Sequence, residues 1–326
     1  MLEPEKGVVF DPCCGSGGMF VQSDLFTKHS HQLSFVGQES KDFTYRLCRM
    51  NLFIHGLDAN IQLGNSYFDD KHATLKADYV LANPPFNDGS RGENGWGANR
   101  IADRDPRLTV GDHKLSLSHR NANTMWMLHF LSHLKDGGTA AFVMATGELS
   151  SGETARLEVR KAFVDQDYVD CIVQLTGQLF ANTQIPCSLW FLSKNRRGGK
   201  AYRKRMGEVL FIEGRKLGTL IPGSRKQKAL SMDDIEVIAR TYRQFRHSGP
   251  PDDIRGFCTV AKLSDIHRHD YSLAPGRYVG TVNADDDSAP LEDRIAHLSS
   301  KLADQFARGS SLASQIETKL RTLVHE

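Results

Sequence analysis

Between residues 8 and 194, short apolar, β-branched runs alternate with longer stretches that carry apolar residues at helical spacing, and this alternation restricts the fold more than any other feature. VVF (8–10), LSFVGQE (33–39), NIQLGNS (60–66), ADYVLA (77–82), GTAAFVMA (138–145), YVDCIVQL (168–175) and CSLWFLSK (187–194) read as strands. Helices are predicted to start near Ser16, to cover KDFTYRLCRMNLFIHG (41–56) up to Gly56, to cover NTMWMLHFLSHLKDGG (123–138) up to its glycines, and to lie at about 153–166. Strands joined by helical crossovers pair in parallel and present ligands at their C-terminal ends. The last two strands are joined by a short loop, which suits an antiparallel pair. The expected fold is therefore α/β: a doubly wound seven-stranded sheet with its last strand antiparallel, over residues 1–195.

Residues 196–284 are more polar, with one clear strand, EVLFIEG (208–214), and one helix, SMDDIEVIARTYRQFR (231–246). A separate helical region, 285–326, follows from DDDSAP (285–290). In it Leu291, Ile295, Leu298, Leu302, Leu312, Ile316 and Leu323 fit the a and d positions of one heptad register, interrupted by Gln305, Gly309 and Lys319. This region reads either as a tail that docks a partner or as a helix packed on its own domain.

Composition excludes several classes. No apolar run approaches the roughly 18 residues of a membrane span, and MLEPEKGVVF lacks the pattern of a signal peptide. The six cysteines have no Cys-x-x-Cys spacing, as expected of reduced thiols in a cytoplasmic protein. A net charge of +2 leaves only local basic surface, with RKRM (203–206) and the arginines of 91–107 as candidates. No metal site is expected, and His267 and His269 read as surface or capping residues. Segment 87–121, rich in Gly, Asn, Asp and Arg, is long enough to be functional or disordered.

Three constellations carry chemistry. DPCCGSGGM (11–19) places glycines after the first strand, where main-chain N–H groups can approach a ligand and a helix N-terminus favours an anionic group. It lacks the Lys-Ser/Thr of a phosphate-binding loop. Glu39, 24 residues past Gly15, ends the second strand, near the spacing of an acidic residue that meets ribose hydroxyls; it could equally cap the next helix. Asn83-Pro84-Pro85-Phe86 ends the fourth strand, since proline cannot continue a sheet ladder. Asn83 offers a side-chain carbonyl, Pro84 a rigidly directed main-chain carbonyl, and Phe86 a face for stacking. Two acceptors converging on one point suit a planar exocyclic amine, and a rigid turn with a core Phe is the alternative.

DPCCGSGG, GQES, NPPF, GGTAAFV and QLFANTQIP, with DIHRHDYSLAPGRYVG (265–280) further on, together resemble the modification subunit of type I restriction-modification systems, an amino-group DNA methyltransferase. The resemblance implies a class I S-adenosylmethionine-dependent methyltransferase fold with a C-terminal helical extension, acting on adenine within a DNA recognition sequence. It implies that Asp11, Cys13, Cys14, Gly15, Ser16 and Gly17 form the cofactor turn, that Glu39 holds the ribose hydroxyls and Asn65 the cofactor's adenine, and that Asn83, Pro84, Pro85 and Phe86 hold the target base. Implied partners are DNA, a specificity subunit docked on the C-terminal helices, and a restriction subunit in the full complex. The chain departs from the family in two places. Members commonly carry Asp where this chain has Asn65, so Asp69 or Asp70 is an alternative. Members also begin with a helical region and an aromatic-Thr-Pro segment, so the chain is expected to be a truncated form that binds cofactor weakly alone. Rival readings are a methyltransferase acting on protein glutamine, whose family usually has Tyr in place of Phe86, an RNA methyltransferase, and a catalytically incompetent scaffold.

Overall fold

The computed structural model describes residues 1–89, 96–181, 183–199, 201–280 and 291–324, and in the last range side chains at 295 and 298–316. The elements run β1 (Gly7–Asp11), α1 (Gly18–Phe26), β2 (Leu33–Glu39), α2 (Asp42–Ile54), β3 (Ala59–Leu63), β4 (Ala77–Ala82), α3 (Asn123–Ser132), β5 (Leu134–Ala145), α4 (Thr154–Asp165), β6 (Val169–Leu175), β7 (Cys187–Ser193), β8 (Glu208–Gly214), α5 (Met232–His247), β9 (Cys258–Lys262), α6 (Leu263–Arg268) and α7 (Leu291–Val324). The chain divides into two compact units, Met1–Gly280 and Thr281–Glu326.

One sheet organises the first unit, in the order β9-β8-β6-β7-β5-β4-β1-β2-β3. β1 pairs in parallel with both β2 and β4, so the chain moves outward in one direction through β2 and β3 and in the other through β4 and β5. The crevice between β1 and β4 is thus the topological switch point, where open α/β sheets bind ligands. β7 inserts antiparallel between β5 and β6, as its short connection requires. The expected seven strands are extended to nine. β8 adds in parallel to β6, and β9 pairs antiparallel with β8 at the edge. CTVAK is five residues long and only part-buried, too brief a pattern to stand out in the sequence.

Strand alternation feeds helices on both faces. Val9 faces Phe20, Phe35, Cys48, Leu52 and Ile61 beneath α1 and α2, whereas Phe10 faces Val80, Met125, Phe130 and Phe142 beneath α3. Trp190 and Phe191 divide in the same way between the main core and the layer under α5, with Tyr242 and Phe245. That α5 layer is tied to the sheet through Asp170. Asp170 accepts from Arg205 Nε at 2.7 Å and from Tyr242 Oη at 2.8 Å, and it is paired with Arg196. RKRM therefore leaves only Lys204 as exposed basic surface: Arg205 is fully buried and Arg203 pairs with Glu208 at 2.8 Å.

The helix expected to reach the glycines at 137–138 stops at Ser132. Leu134 already pairs with Ala77, and the register shifts before Thr139 meets Tyr79, so the glycines sit in a bulge of β5. A Cβ on Gly138 would lie 3.0 Å from the Ala77 carbonyl oxygen, which is why the strands close there only on glycine. The described part of segment 87–121 is packed, with Leu108, Val110, Leu115 and Leu117 in the main core. α7 continues through Gly309, and Ile295, Leu298, Leu302, Leu312 and Ile316 are exposed. The Leu291 and Leu323 side chains and the DDDSAP segment lie outside the described residues. Among the described residues no helix is long and apolar enough to cross a membrane, and all six cysteines are free thiols.

Candidate active site

The turn after β1 is built from its own main chain. Asp11 Oδ1 accepts from the Cys13 N–H at 3.0 Å, and the Cys14 N–H reaches the Gln38 carbonyl of β2 at 3.1 Å. Gly15 and Gly17 adopt left-handed φ of 54° and 79°, so α1 begins at Gly18 rather than at Ser16. A Cβ on Gly17 would meet Cys48 Sγ at 3.0 Å and Leu52 Cδ2 at 3.2 Å, so the glycine also lets α2 approach.

Glu39, at the end of β2, binds both ways. Its Oε2 accepts from the Gly15 N–H at 3.1 Å and its Oε1 from the Lys41 N–H at 2.9 Å, so it braces the glycine turn and caps the approach to α2 together. Burial pushes the Asp11 carboxyl up to about 7, against the hydrogen bonds from Cys13 and with added repulsion from Glu39. Burial and the Asp11 charge raise the Cys13 thiol well above its ordinary range, so Cys13 is a neutral lining group and not a nucleophile.

β4 delivers the second half. After Ala82 the two prolines carry the chain out of the sheet, with Pro84 buried, Asn83 and Pro85 exposed and Phe86 partly buried. Phe86 meets Phe180 edge-on, with ring centroids 5.6 Å apart. From the loop after β3, Ser66 Oγ donates to the Pro12 carbonyl at 2.6 Å, joining that loop to the glycine turn. Asn65 Oδ1 accepts from the Tyr67 N–H at 2.9 Å. Asp69 pairs with Lys71 at 2.7 Å, while Asp70 turns to His133 at 3.0 Å.

These ends surround one cleft of ≈ 1260 Å³. Cys13, Glu39, Asn65, Asp69, Asn83, Pro84, Pro85 and Phe86 line it. Asp11, Cys14, Gly15, Ser16 and Gly17 form the turn behind Cys13, with the Cys14 thiol buried against that of Cys48 at 3.9 Å. Sequence reasoning missed several lining residues. Arg100 lies 3.7 Å over the Phe68 ring, Tyr67 and Trp126 rings meet at 4.7 Å, and Phe180 and Thr183 come from QLFANTQIP. That last motif was a usable signal, and Arg100 was legible only as one of the arginines of 91–107 that could form local basic surface.

Behind the loop after β3, Asp70, His129 and His133 bring ligand-type atoms within 4.8 Å of one another. Arg107 Nη1 lies 3.1 Å from His129 Nδ1 and can only donate, so the proton of that imidazole is on Nε2, the nitrogen a metal would need. The same guanidinium donates to the Ser66 and Tyr67 carbonyls, each at 2.9 Å, so the cluster holds the cleft's wall. His267 pairs with Asp165 at 3.3 Å, away from this set.

Residues 1–287 match the family model described as N-6 DNA Methylase. Over 332 residues the chain is 38% identical to the type I restriction enzyme HindI methylase subunit of Haemophilus influenzae, covering all of the chain and 71% of that protein. It is 39% identical over 330 residues to the type I restriction enzyme MjaIX methylase subunit of Methanocaldococcus jannaschii, spanning 99% of the chain and 57% of the relative. The crystal structure of a type I restriction-modification system methyltransferase subunit from Streptococcus thermophilus aligns with a TM-score of 0.71 at 26% identity, over 85% of this chain and 55% of that one.

Proposed function

The chain belongs to the N-6 DNA methylase family, among the methylase subunits of type I restriction enzymes, and from that premise we propose that it transfers a methyl group from S-adenosylmethionine to the exocyclic amine of an adenine turned out of the DNA duplex. One observation carries the reading: Asn83 and Phe86 at the end of β4 share a single cleft, at the switch point, with Cys13 after β1 and Glu39 at the end of β2. Its ≈ 1260 Å³ exceeds the roughly 300–1,000 Å³ of an ordinary ligand pocket, enough for a nucleoside cofactor and an extruded base together.

The residues present fit the cofactor. Asp11 is a buried carboxylate raised to about 7, an environment that a ligand's ammonium would relieve. Glu39, with both carboxylate oxygens anchored, presents fixed acceptors to a ribose, and Asn65 and Asp69 border the adenine side. When bound, S-adenosylmethionine supplies an electrophilic methyl on sulfonium.

Everything else is positioning. The adenine amine is a weak nucleophile because its lone pair is delocalised into the ring. In that pose the amine would donate to Asn83 Oδ1 and to the Pro84 carbonyl, which would draw its nitrogen toward tetrahedral geometry and leave its lone pair free of the ring. Phe86, backed edge-on by Phe180, stacks the base. Alignment in a fixed site supplies the acceleration.

On this reading residues 1–195 are the catalytic core, 196–284 extend it, and 285–326 dock the specificity subunit, in an assembly that also holds a restriction subunit. The test is transfer of labelled methyl to adenine-containing DNA, with and without the specificity subunit. Label on N6 of adenine is expected. Label on protein glutamine or on RNA instead, or none in the full complex, would reject the proposal in favour of those activities or of a scaffold.

A further inference from the structure

Asn123 opens α3 and is fully buried, and its side chain is committed in three directions. Its Oδ1 accepts from the Asn87 N–H at 2.9 Å, its Nδ2 donates to Asn87 Oδ1 at 2.9 Å, and the same Nδ2 donates to Glu148 Oε1 at 2.7 Å. Its own N–H is held by Asn121 Oδ1 at 3.1 Å. Asn87 follows Phe86 directly and stands at a φ of 52°, the left-handed region that asparagine tolerates better than most residues. The next residue is fastened as well: the Ala122 N–H donates to the Asp88 carbonyl at 2.9 Å, and Tyr67 Oη to Asp88 Oδ2 at 3.2 Å.

The segment that leaves the sheet at Asn83 is therefore fixed at both ends, by β4 before it and by this two-way amide clasp after it. Glu148 is buried, with Arg156 Nε 3.5 Å from its Oε1 and Arg160 Nη1 donating to its main-chain carbonyl at 3.1 Å. Burial pushes the Glu148 carboxyl up, and the Asn123 amide and the Arg156 and Arg160 charges oppose that rise. The Asn123 Nδ2 bond to Glu148 Oε1 sets which way the Asn123 amide faces. Neither Asn123 nor Glu148 lines the cleft.

We infer that Asn123, oriented by Glu148, is a positioning residue for methyl transfer: it sets where Asn83, Pro84 and Phe86 stand by locking the turn at Asn87. The inference rests on the proposed methyltransferase reading, and it predicts loss of rate without loss of cofactor affinity. A buried amide that both accepts from and donates to one loop residue suits this role, because a displacement of about 1 Å in a reacting group costs on the order of a hundredfold in rate.

The test exploits the direction of the hydrogen bonds. Asn123→Asp keeps the size but replaces a donating amide with a carboxylate facing Glu148, which breaks the clasp. Adding Glu148→Gln reverses the chain of donors: the glutamine amide donates to the new carboxylate, which accepts from the Asn87 N–H and from the flipped Asn87 side-chain amide. In the full complex with the specificity subunit and DNA, Asn123→Asp should lower kcat about a hundredfold, with the Kd for S-adenosylmethionine within about twofold. The double variant should recover most of the lost rate. Amide hydrogen exchange at Asn87 gives a readout free of catalysis, and it should accelerate in Asn123→Asp and slow again in the double variant. Unchanged exchange, an unrescued rate, or cofactor affinity falling with kcat would overturn the inference. A parent complex that transfers no methyl would count against the functional reading alone, and the exchange data would still decide the clasp.

Discussion

Asp11→Asn is the substitution whose outcome the site's electrostatics fix most closely. Asp11 is 2% exposed, and the groups acting on it are the Cys13 amide and thiol and the Glu39 carboxylate. Its carboxyl stands at about 7 against an ordinary 3.8, a difference of about 3 units, which at 1.36 kcal/mol each is about 4 kcal/mol. The sign follows from linkage. The folded state holds the proton more tightly than the unfolded chain, so the stability of the protonated form is fully present below pH 3.8 and is lost as pH rises through about 7. Asparagine has the same shape, keeps an acceptor for the Cys13 N–H and does not ionise. Asp11→Asn should therefore gain stability over the parent with rising pH, by about 3 kcal/mol more at pH 8 than at pH 4.5. Chemical denaturation at the two pH values, followed by tryptophan fluorescence, measures that difference, and taking variant minus parent cancels every other titrating group. A difference that ignores pH, or that shrinks as pH rises, would refute the argument. The same variant should bind S-adenosylmethionine about tenfold more weakly, because the ligand's ammonium then has no buried carboxylate to relieve. Stability and affinity would move in opposite directions, as they do where a site keeps an unfavourable charge for its ligand.

Three further outcomes follow from the geometry. Asn83→Ala should abolish methyl transfer while leaving the calorimetric affinity for cofactor nearly unchanged, and Phe86→Ala should weaken base capture more mildly; full activity in the first would sink the role of Asn83. Gly17→Ala places a side chain at a φ of 79° and a Cβ 3.0 Å from Cys48 Sγ. It should cost about 2–4 kcal/mol in a denaturation curve, from the left-handed backbone and the overpacking together. Removing residues 288–326 should leave Met1–Gly280 folded and end co-purification with the specificity subunit, and unfolding of the whole chain would place α7 in the core instead.

Legibility in the sequence tracked how local the physics is. ADYVLA and YVDCIVQL announce strands because β-branched and aromatic residues crowd into a few positions, and the short connection before β7 gave its direction. CTVAK did not, since an edge strand of five residues with exposed alternate positions has no buried run to betray it. The glycines at 137–138 read as a helix stop because glycine usually is one, and only the pairing of β5 with β4 reveals a bulge. Asp11, Glu39 and Asn83 stood out as candidates for a related reason: each stands at or just past a strand end, where the change from apolar run to polar residue is itself a signal.

What the sequence hid is the set of groups that hold the loops after β3 and β4. Arg107 reaches the Ser66 carbonyl across 41 positions, and Asn123 reaches Asn87 across 36. The described anchors of 87–121, among them Leu108, Val110, Leu115 and Leu117, pack from a short turn, two-residue strands and the loops beside them, which are too brief to leave a period in the sequence. A catalytic acceptor needs only the right atom at a strand end, which one motif can encode. Holding that acceptor to within a fraction of an ångström takes buried donors from another element, because a turn's own hydrogen bonds leave it free to move as a body. On the proposed reading that hold comes from the N-terminus of α3, where the Asn123 side chain accepts from and donates to Asn87 and also donates to Glu148 beyond β5. The residue after Phe86 and the first turn of α3 thereby fix one another, a pairing that only the folded chain reveals.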